Sequence, residues 1–380
     1  MDSMTKVDRD VVVGVDAHTD THDAAVLDDC GRLLATRTFQ ADPAGYRELL
    51  GWVQSFGRLV LIGVESTGSY AAGLTRYLRA AGVEVREVNQ PHAHTRRRRG
   101  KSDPIDAEMA ARHVLADHSI VVAKDTTGIV EAIRQLRVAR DGAVKARSAA
   151  LNALEGLTVS APDELREQLV TRKTLRGRAT LCSRFRPDQA RLHEPIHAAR
   201  AALRSLARRV IDLDAEIAVL DQQLKRLVAA AAPTTTARIA VSTGHAGTLL
   251  VCAGQNIQRM RSEASFAALC GASPIPVSTG RTDRHRLSYG GNRDANRALH
   301  MIAVCRLRYC QRTRAYAKRR TAEGKTKTEI IRCLKRYIAR EIYHALLADL
   351  LPQADAPRRT DPIVSITCGA GPIGRTIRTS

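Results

Sequence analysis

Two short apolar runs, each ending in an acid, frame the first part of the chain: residues 11–16 (VVVGVD) and 59–65 (LVLIGVE). Continuous apolar stretches of this length read as strands buried on both faces. Between them, residues 23–27 lead to a turn at Asp28, Asp29, Cys30 and Gly31, and residues 32–39 follow as a hairpin partner. Residues 42–56 have helical spacing, Ser66 or Thr67 is placed to cap a helix running to about residue 81, and residues 83–88 supply a last strand. The order predicted is β-β-β-α-β-α-β-α, a mixed α/β layer architecture.

The texture then changes to helix over roughly residues 126–232. Leu203, Leu206, Val210, Leu213, Ile217, Leu220, Leu224 and Leu227 alternate steps of three and four, the spacing of a coiled-coil seam. Residues 133–157 are helical too, with Arg137, Arg140 and Arg147 interrupting the apolar stripe. They read as an antiparallel partner carrying one basic face. Residues 229–236 (AAAAPTTT) read as a linker. From 237 to about 351 the pattern is helical with Gly-rich interruptions, and 352–380, rich in Pro, Gly and Thr, read as a loose tail. These shifts divide the chain at 1–122, 123–236, 237–351 and 352–380.

Composition sharpens this picture. The 380 residues carry a formal net charge of +21, of which +14 lies in residues 281–340. An excess of that size calls for a polyanionic partner, and nucleic acid is the leading candidate. Only 3% of residues are aromatic, which counts against single-strand binding mainly by base stacking. The eight cysteines form no C-x-x-C pair, arguing against zinc ribbons and fitting reduced thiols. No apolar run approaches the length of a membrane span, so a soluble, cytoplasmic protein without a membrane partner is expected.

Three constellations carry candidate chemistry. Asp16 and Glu65 end the two apolar strands, and Asp103 and Asp106 open the helix after the last strand. Ligands of open α/β sheets gather at the strands' carboxyl ends. Carboxylates converging there would repel one another unless a cation such as Mg2+ joined them, and two such ions suit phosphodiester chemistry. The competing reading makes Asp103 a helix N-cap before Pro104, with Asp106 complementing the helix dipole. Beside this site, Arg96, Arg97, Arg98, Arg99 and Lys101 are either solvated surface or a phosphate clamp. Further on, Ser278 lies in a turn between Pro276 and Gly280, with Arg281, Arg284, His285, Arg286 and Arg293 close behind. That setting suits a serine nucleophile helped by phosphate neutralisation, or a turn that only hydrogen-bonds phosphate. Tyr289 is a rival nucleophile.

The motifs GVD (Asp16), GVESTGSY (Glu65) and RRGKSDPIDA (Asp103 and Asp106), followed by CGASPIPVSTG and RHRLSYGGNRDANRALH, together resemble the DEDD transposases of the insertion sequence 110 and 116 family. The matching segments fall at about residues 10–118 and 245–348, in family order. The resemblance implies an RNase H-like (RuvC-type) N-terminal domain, a helical coiled-coil middle and a mostly α-helical C-terminal transposase domain. It implies Mg2+, two ions per site, on Asp16, Glu65, Asp103 and Asp106, and a serine nucleophile at Ser278, with Ser273 the lesser choice. A homo-oligomer, dimer or tetramer, would form through the coiled coil. Donor and target DNA would be paired by a structured non-coding guide RNA, in a bacterial cytoplasm and at the nucleoid when active. The expected activity is cutting and rejoining DNA strands. The alternatives are a site-specific invertase, a junction-resolving nuclease in which the carboxylates suffice, and a non-enzymatic nucleic-acid-binding protein.

Overall fold

The structure, a computed structural model, describes residues 9–88, 102–117, 121–279, 282–286 and 288–351. Its first part is a five-stranded sheet: β1 (Asp10–Ala17), β2 (Thr21–Asp28), β3 (Leu33–Gln40), β4 (Arg58–Glu65) and β5 (Val85–Val88), in the order β3-β2-β1-β4-β5. The β1-β2-β3 meander is antiparallel, whereas β4 and β5 join β1 in parallel. The two central runs do lie in the middle of the sheet, and β1 is buried along nearly its whole length. Helices α1 (Pro43–Gln54) and α2 (Ala72–Ala80) connect β3 to β4 and β4 to β5. Asp42 caps α1 by accepting from the Gly45 amide at 2.8 Å, with Pro43 in the first turn.

Alternation along β1 divides the two faces. Val11, Val13 and Val15 join Leu49, Val53, Leu74 and Leu78 in the core beneath α1 and α2. Val12 points the other way, toward Ala110 and Val114 of α3 (Asp103–Leu115). Gly14 and Gly63 lie on that second face, where α3 approaches so closely that a Cβ on Gly14 would stand 2.1 Å from the Ala107 carbonyl oxygen. Only glycine allows this contact. Side chains two residues further along each strand, Asp16 and Glu65, therefore emerge on the α3 side, at the strands' carboxyl ends.

The α2 helix begins later than the sequence pattern predicts. Neither Ser66 nor Thr67 caps it; the N-cap is Ala71, without a side-chain bond. Ser66 instead adopts φ 56°, and its carbonyl accepts from the Ser69 amide at 2.9 Å. The chain thus turns sharply immediately after Glu65, in a left-handed conformation disfavoured for an L-residue.

Beyond the sheet, α4 (Ile129–Ser160) and α7 (Pro195–Ala231) run antiparallel, as the Arg147–Asp214 and Arg140–Asp221 pairs at 2.7 and 3.0 Å require. Arg140 and Arg147, read from sequence as part of one basic face on an antiparallel partner helix, are turned toward acids of α7. Short helices α5 (Asp163–Val170) and α6 (Leu175–Cys182) close one end of this pair, sharing a core with Leu154, Leu203 and Val210. Along the seam, Leu203, Val210, Ile217 and Leu224 are buried, while Leu213 and Leu220 stay half-exposed.

The expected linker at 229–236 is a packed joint. The α7 helix continues to Ala231, and a short turn, α8 (Pro233–Thr236), follows at once. The Asp349 carboxylate accepts from the Thr234 and Thr235 amides at 2.7 and 2.9 Å and from the Thr235 hydroxyl at 2.7 Å. A carboxylate at a helix N-terminus holds otherwise unpaired amides, so the Pro-Thr stretch is tied down rather than loose, with Thr235 buried. The C-terminal body comprises α9 (Thr243–Ala253), α10 (Glu263–Leu269), a hairpin of β6 (Ile275–Thr279) and β7 (Thr282–Arg286), then α11 (Arg293–Tyr309), α12 (Gln311–Ala322) and α13 (Lys327–Leu350). Its core also takes in Val130 and Ile133 of α4 and Leu224 and Val228 of α7. Among the described residues, no helix is long and apolar enough to cross a membrane.

Candidate metal centre and serine hairpin

The candidate carboxylate site lies where two strands end and one helix begins. Val15 of β1 pairs with Val64 of β4, so Asp16 and Glu65 follow on neighbouring parallel strands. The α3 helix starts above them. Its N-cap is Ser102 without a side-chain bond, so the competing reading of Asp103 as the cap does not hold; Asp103 stands within the helix, as does the buried Asp106. Asp16 and Asp103 are brought together with a residue that the motif reading passed over. His18 Nε2 lies 3.3 Å from an Asp16 oxygen and 3.5 Å from an Asp103 oxygen. Its signal was proximity in the chain, because His18 lies two residues beyond Asp16, just past the end of β1.

A second overlooked acid is Asp23, directly across β2 from Asp16 and buried. Its carboxylate accepts from the Thr38 hydroxyl at 2.5 Å. Only the strand register, which the sequence leaves open, places it there. Burial holds the Asp16 carboxyl above its usual range; neighbouring His18 offsets part of this, whereas Asp106, Asp103 and Asp23 push it further up. A cluster of acids held against its own repulsion in this way is suited to a cation.

The donor set fits a divalent ion. One oxygen each from Asp16 and Asp103 and one nitrogen from His18 lie within 4.8 Å of one another. Adjacent ligands of a six-coordinate ion with bonds near 2.1 Å are about 3 Å apart, close to the separations observed here. His18 Nε2 is shielded from solvent and makes no hydrogen bond.

Comparison with protein families decides the identity. Residues 13–160 match the family DEDD_Tnp_IS110, described as "Transposase", and residues 225–318 match "Transposase IS116/IS110/IS902 family". The chain belongs to the IS110/IS116 transposase family. A search of curated proteins gave no match. The transposase is therefore an enzyme that cuts and rejoins DNA, and its DEDD domain implies use of a divalent metal ion. The mixed five-stranded sheet with its flanking helices fits the RNase H-like architecture of such a domain.

The serine motif of the transposase is a hairpin rather than the isolated turn read from sequence. Ser278 stands in β6, its backbone opposite Asp283, and Val277 is opposite Arg284. Ser273 precedes β6 and is half-buried. Arg286, Tyr289 and Arg293 are exposed, whereas Arg96 to Arg99, Lys101 and Arg281 lie outside the described residues.

Both feet of the hairpin are fastened to the helical body. Gly271, at φ 62°, lies so close to the returning chain that a Cβ would meet the Gly290 carbonyl oxygen at 2.7 Å. The Asn292 amide donates to the Leu269 carbonyl at 2.6 Å. Asn296 Nδ2 donates to the Cys270 and Gly271 carbonyls at 2.9 and 2.8 Å, and Lys335 Nζ donates to Asn296 Oδ1 at 2.8 Å. Lys335 is buried, and burial lowers its pKa, with Arg332 adding to the effect. Within the GGNRDAN segment, Asn296 thus serves as a structural brace.

Proposed function

We propose that this transposase recombines DNA through Asp16, Glu65, Asp103 and Asp106, which hold two Mg2+ ions, and through Ser278 as nucleophile. The meeting of the Asp16 and Asp103 carboxylates, with Asp106 in the same helix and Glu65 at the end of the strand beside β1, is the observation that carries this reading. Such ions supply charge neutralisation at the attacking and leaving oxygens of a phosphodiester. The chain's own part is to hold the acids in place: Gly14 and Gly63 let α3 seat directly on the strands, and Asp16, whose carboxyl is raised above its usual range by burial and by its acidic neighbours, is favoured as a carboxylate when a cation lies beside it.

Ser278 Oγ forms a bond to phosphorus as the phosphorus–oxygen bond to one deoxyribose breaks, the departing oxygen taking a proton. Attack by a hydroxyl of the partner strand reverses the step and releases the serine. The braced hairpin holds the β6 backbone in one geometry for this exchange, and Arg281, Arg284, Arg286 and Arg293, with Arg96 to Arg99 and Lys101, hold phosphates. A structured guide RNA pairs donor and target DNA, leaving the protein's +14 segment to grip backbone irrespective of sequence. Half-exposed Leu213 and Leu220 on α7 support assembly of a homo-oligomer through that helix.

The test is denaturing electrophoresis of reactions with donor DNA, target DNA and RNA transcribed from the flanks of the coding region. Wild type gives a protein-linked DNA species and rejoined product, Ser278→Ala loses the linked species, and Asp16→Asn loses all cleavage. Full recombination by Ser278→Ala removes the serine from the mechanism. Free ends without a linked species assign the activity to a nuclease.

A further inference from the structure

We propose that His18 is a direct metal ligand, and that this imidazole gives the site a preference for Mn2+ over Mg2+. The inference rests on the carboxylate metal site above and adds a nitrogen to a set defined by its acids. His18 follows immediately on the end of β1, two residues beyond Asp16, and its amide is anchored to the Thr21 carbonyl at 2.9 Å, fixing the turn into β2. The ring thereby delivers Nε2 between an Asp16 oxygen at 3.3 Å and an Asp103 oxygen at 3.5 Å, out of reach of solvent and without a hydrogen bond to either. A nitrogen shielded from water and flanked by two acids is positioned as the third corner of a coordination sphere.

The chemistry of the donor selects the ion. Mg2+ is hard, favours oxygen ligands and retains its waters, so a nitrogen contributes little to its binding. Transition-metal dications accept imidazole readily, and Mn2+ is the one that also suits a site otherwise built of carboxylates. Removing this ligand should therefore weaken Mn2+ more than Mg2+. Loss of a residue that only orients a metal ligand costs about 10–100-fold in affinity, and loss of a direct ligand should cost at least the lower figure.

The experiment uses the full-length protein and Mn2+ alone. Electron paramagnetic resonance titration gives the Mn2+ affinity, competition gives that of Mg2+, and spin-echo modulation reports any nitrogen bonded to the Mn2+. Wild type should show the nitrogen modulation and bind Mn2+ more tightly than Mg2+. His18→Ala should lose the modulation and at least 10-fold in Mn2+ affinity, with a smaller change for Mg2+. His18→Asp should regain binding of both ions without the preference. Circular dichroism confirms that each variant is folded. Absence of nitrogen modulation in wild type, or an unchanged Mn2+ to Mg2+ ratio in His18→Ala, overturns the proposal. Asp16→Asn separates the two layers: if it binds Mn2+ as wild type does, the carboxylate site itself is refuted; if it fails to bind, only the role of His18 is in question.

Discussion

Replacing Gly14 by Ala should damage the metal centre without touching any of its ligands. The added Cβ would fall 2.1 Å from the Ala107 carbonyl oxygen and 2.2 Å from the Ala111 amide nitrogen, where ordinary contact begins near 3.4 Å. Both obstacles are backbone of α3, so no side chain can rotate away, and the helix must retreat by roughly 1.3 Å. Overpacking of this kind costs about 1–3 kcal/mol, measurable by urea denaturation. Asp103 and Asp106 travel with α3, and a misplacement of about 1 Å in a reacting constellation costs on the order of 100-fold in rate. Metal-dependent DNA cleavage should fall by that order even under conditions where the variant is fully folded. Gly51→Ala is the control, since nothing lies within 4 Å of its Cβ position in α1; it should stabilise by about 0.5–1 kcal/mol and leave cleavage intact. Wild-type stability and cleavage in Gly14→Ala would refute the direct seating of α3 on the strands.

Other expectations follow from charge and hydrogen bonding. Because the Asp16 carboxyl lies above its ordinary 3.8 in the folded chain, the folded state holds that proton more tightly than the unfolded one; this stabilisation is present in acid and is lost as pH rises through the raised value. Metal-free Asp16→Asn should therefore melt higher than wild type at neutral pH, and divalent ions should raise the melting temperature of wild type alone; the opposite order in calorimetry counts against a strained acid cluster. Asn296→Ala leaves the buried Lys335 ammonium without its acceptor and should cost about 3 kcal/mol, more than Lys335→Met, which removes the charge itself. Urea titrations of both variants check the ranking, and a costlier Lys335→Met contradicts it. Asp349→Ala removes three hydrogen bonds from the Pro233–Thr236 turn and should cost about 2 kcal/mol in the same assay.

The parts of this fold legible in the sequence are those encoded by local pattern. VVVGVD is a buried strand because nothing polar interrupts it, whereas LVLIGVE is buried only over residues 62–64, with Val60 48% exposed, and the order of elements through α3 follows from their spacing. Asp16 and Glu65 stood out because each ends one of these runs, and Asp103 and Asp106 because they open the helix that follows the last strand. What pairing decides was not visible. Asp23 joins the site only through the register of β1 with β2. The β6–β7 hairpin was missed because TDRHR has no apolar alternation to mark a strand; its ladder is held by the braces at Gly271, Gly291 and Asn296 instead. The basic stripe on α4 and the Pro-Thr linker were misread because their partners, Asp214, Asp221 and Asp349, lie 67 to 115 residues away. Ser66 offers no local cue to its left-handed turn, which is imposed where the chain must leave the sheet directly after Glu65.

The central claim is that acids from β1, β4 and α3 form one divalent-ion site, and anomalous diffraction from crystals grown with Mn2+ tests it most directly. The account predicts an anomalous peak within coordination distance of Asp16 and Asp103, with Glu65 and Asp106 beside it. A well-ordered site with no peak at saturating Mn2+, or a peak bound only elsewhere, would contradict it.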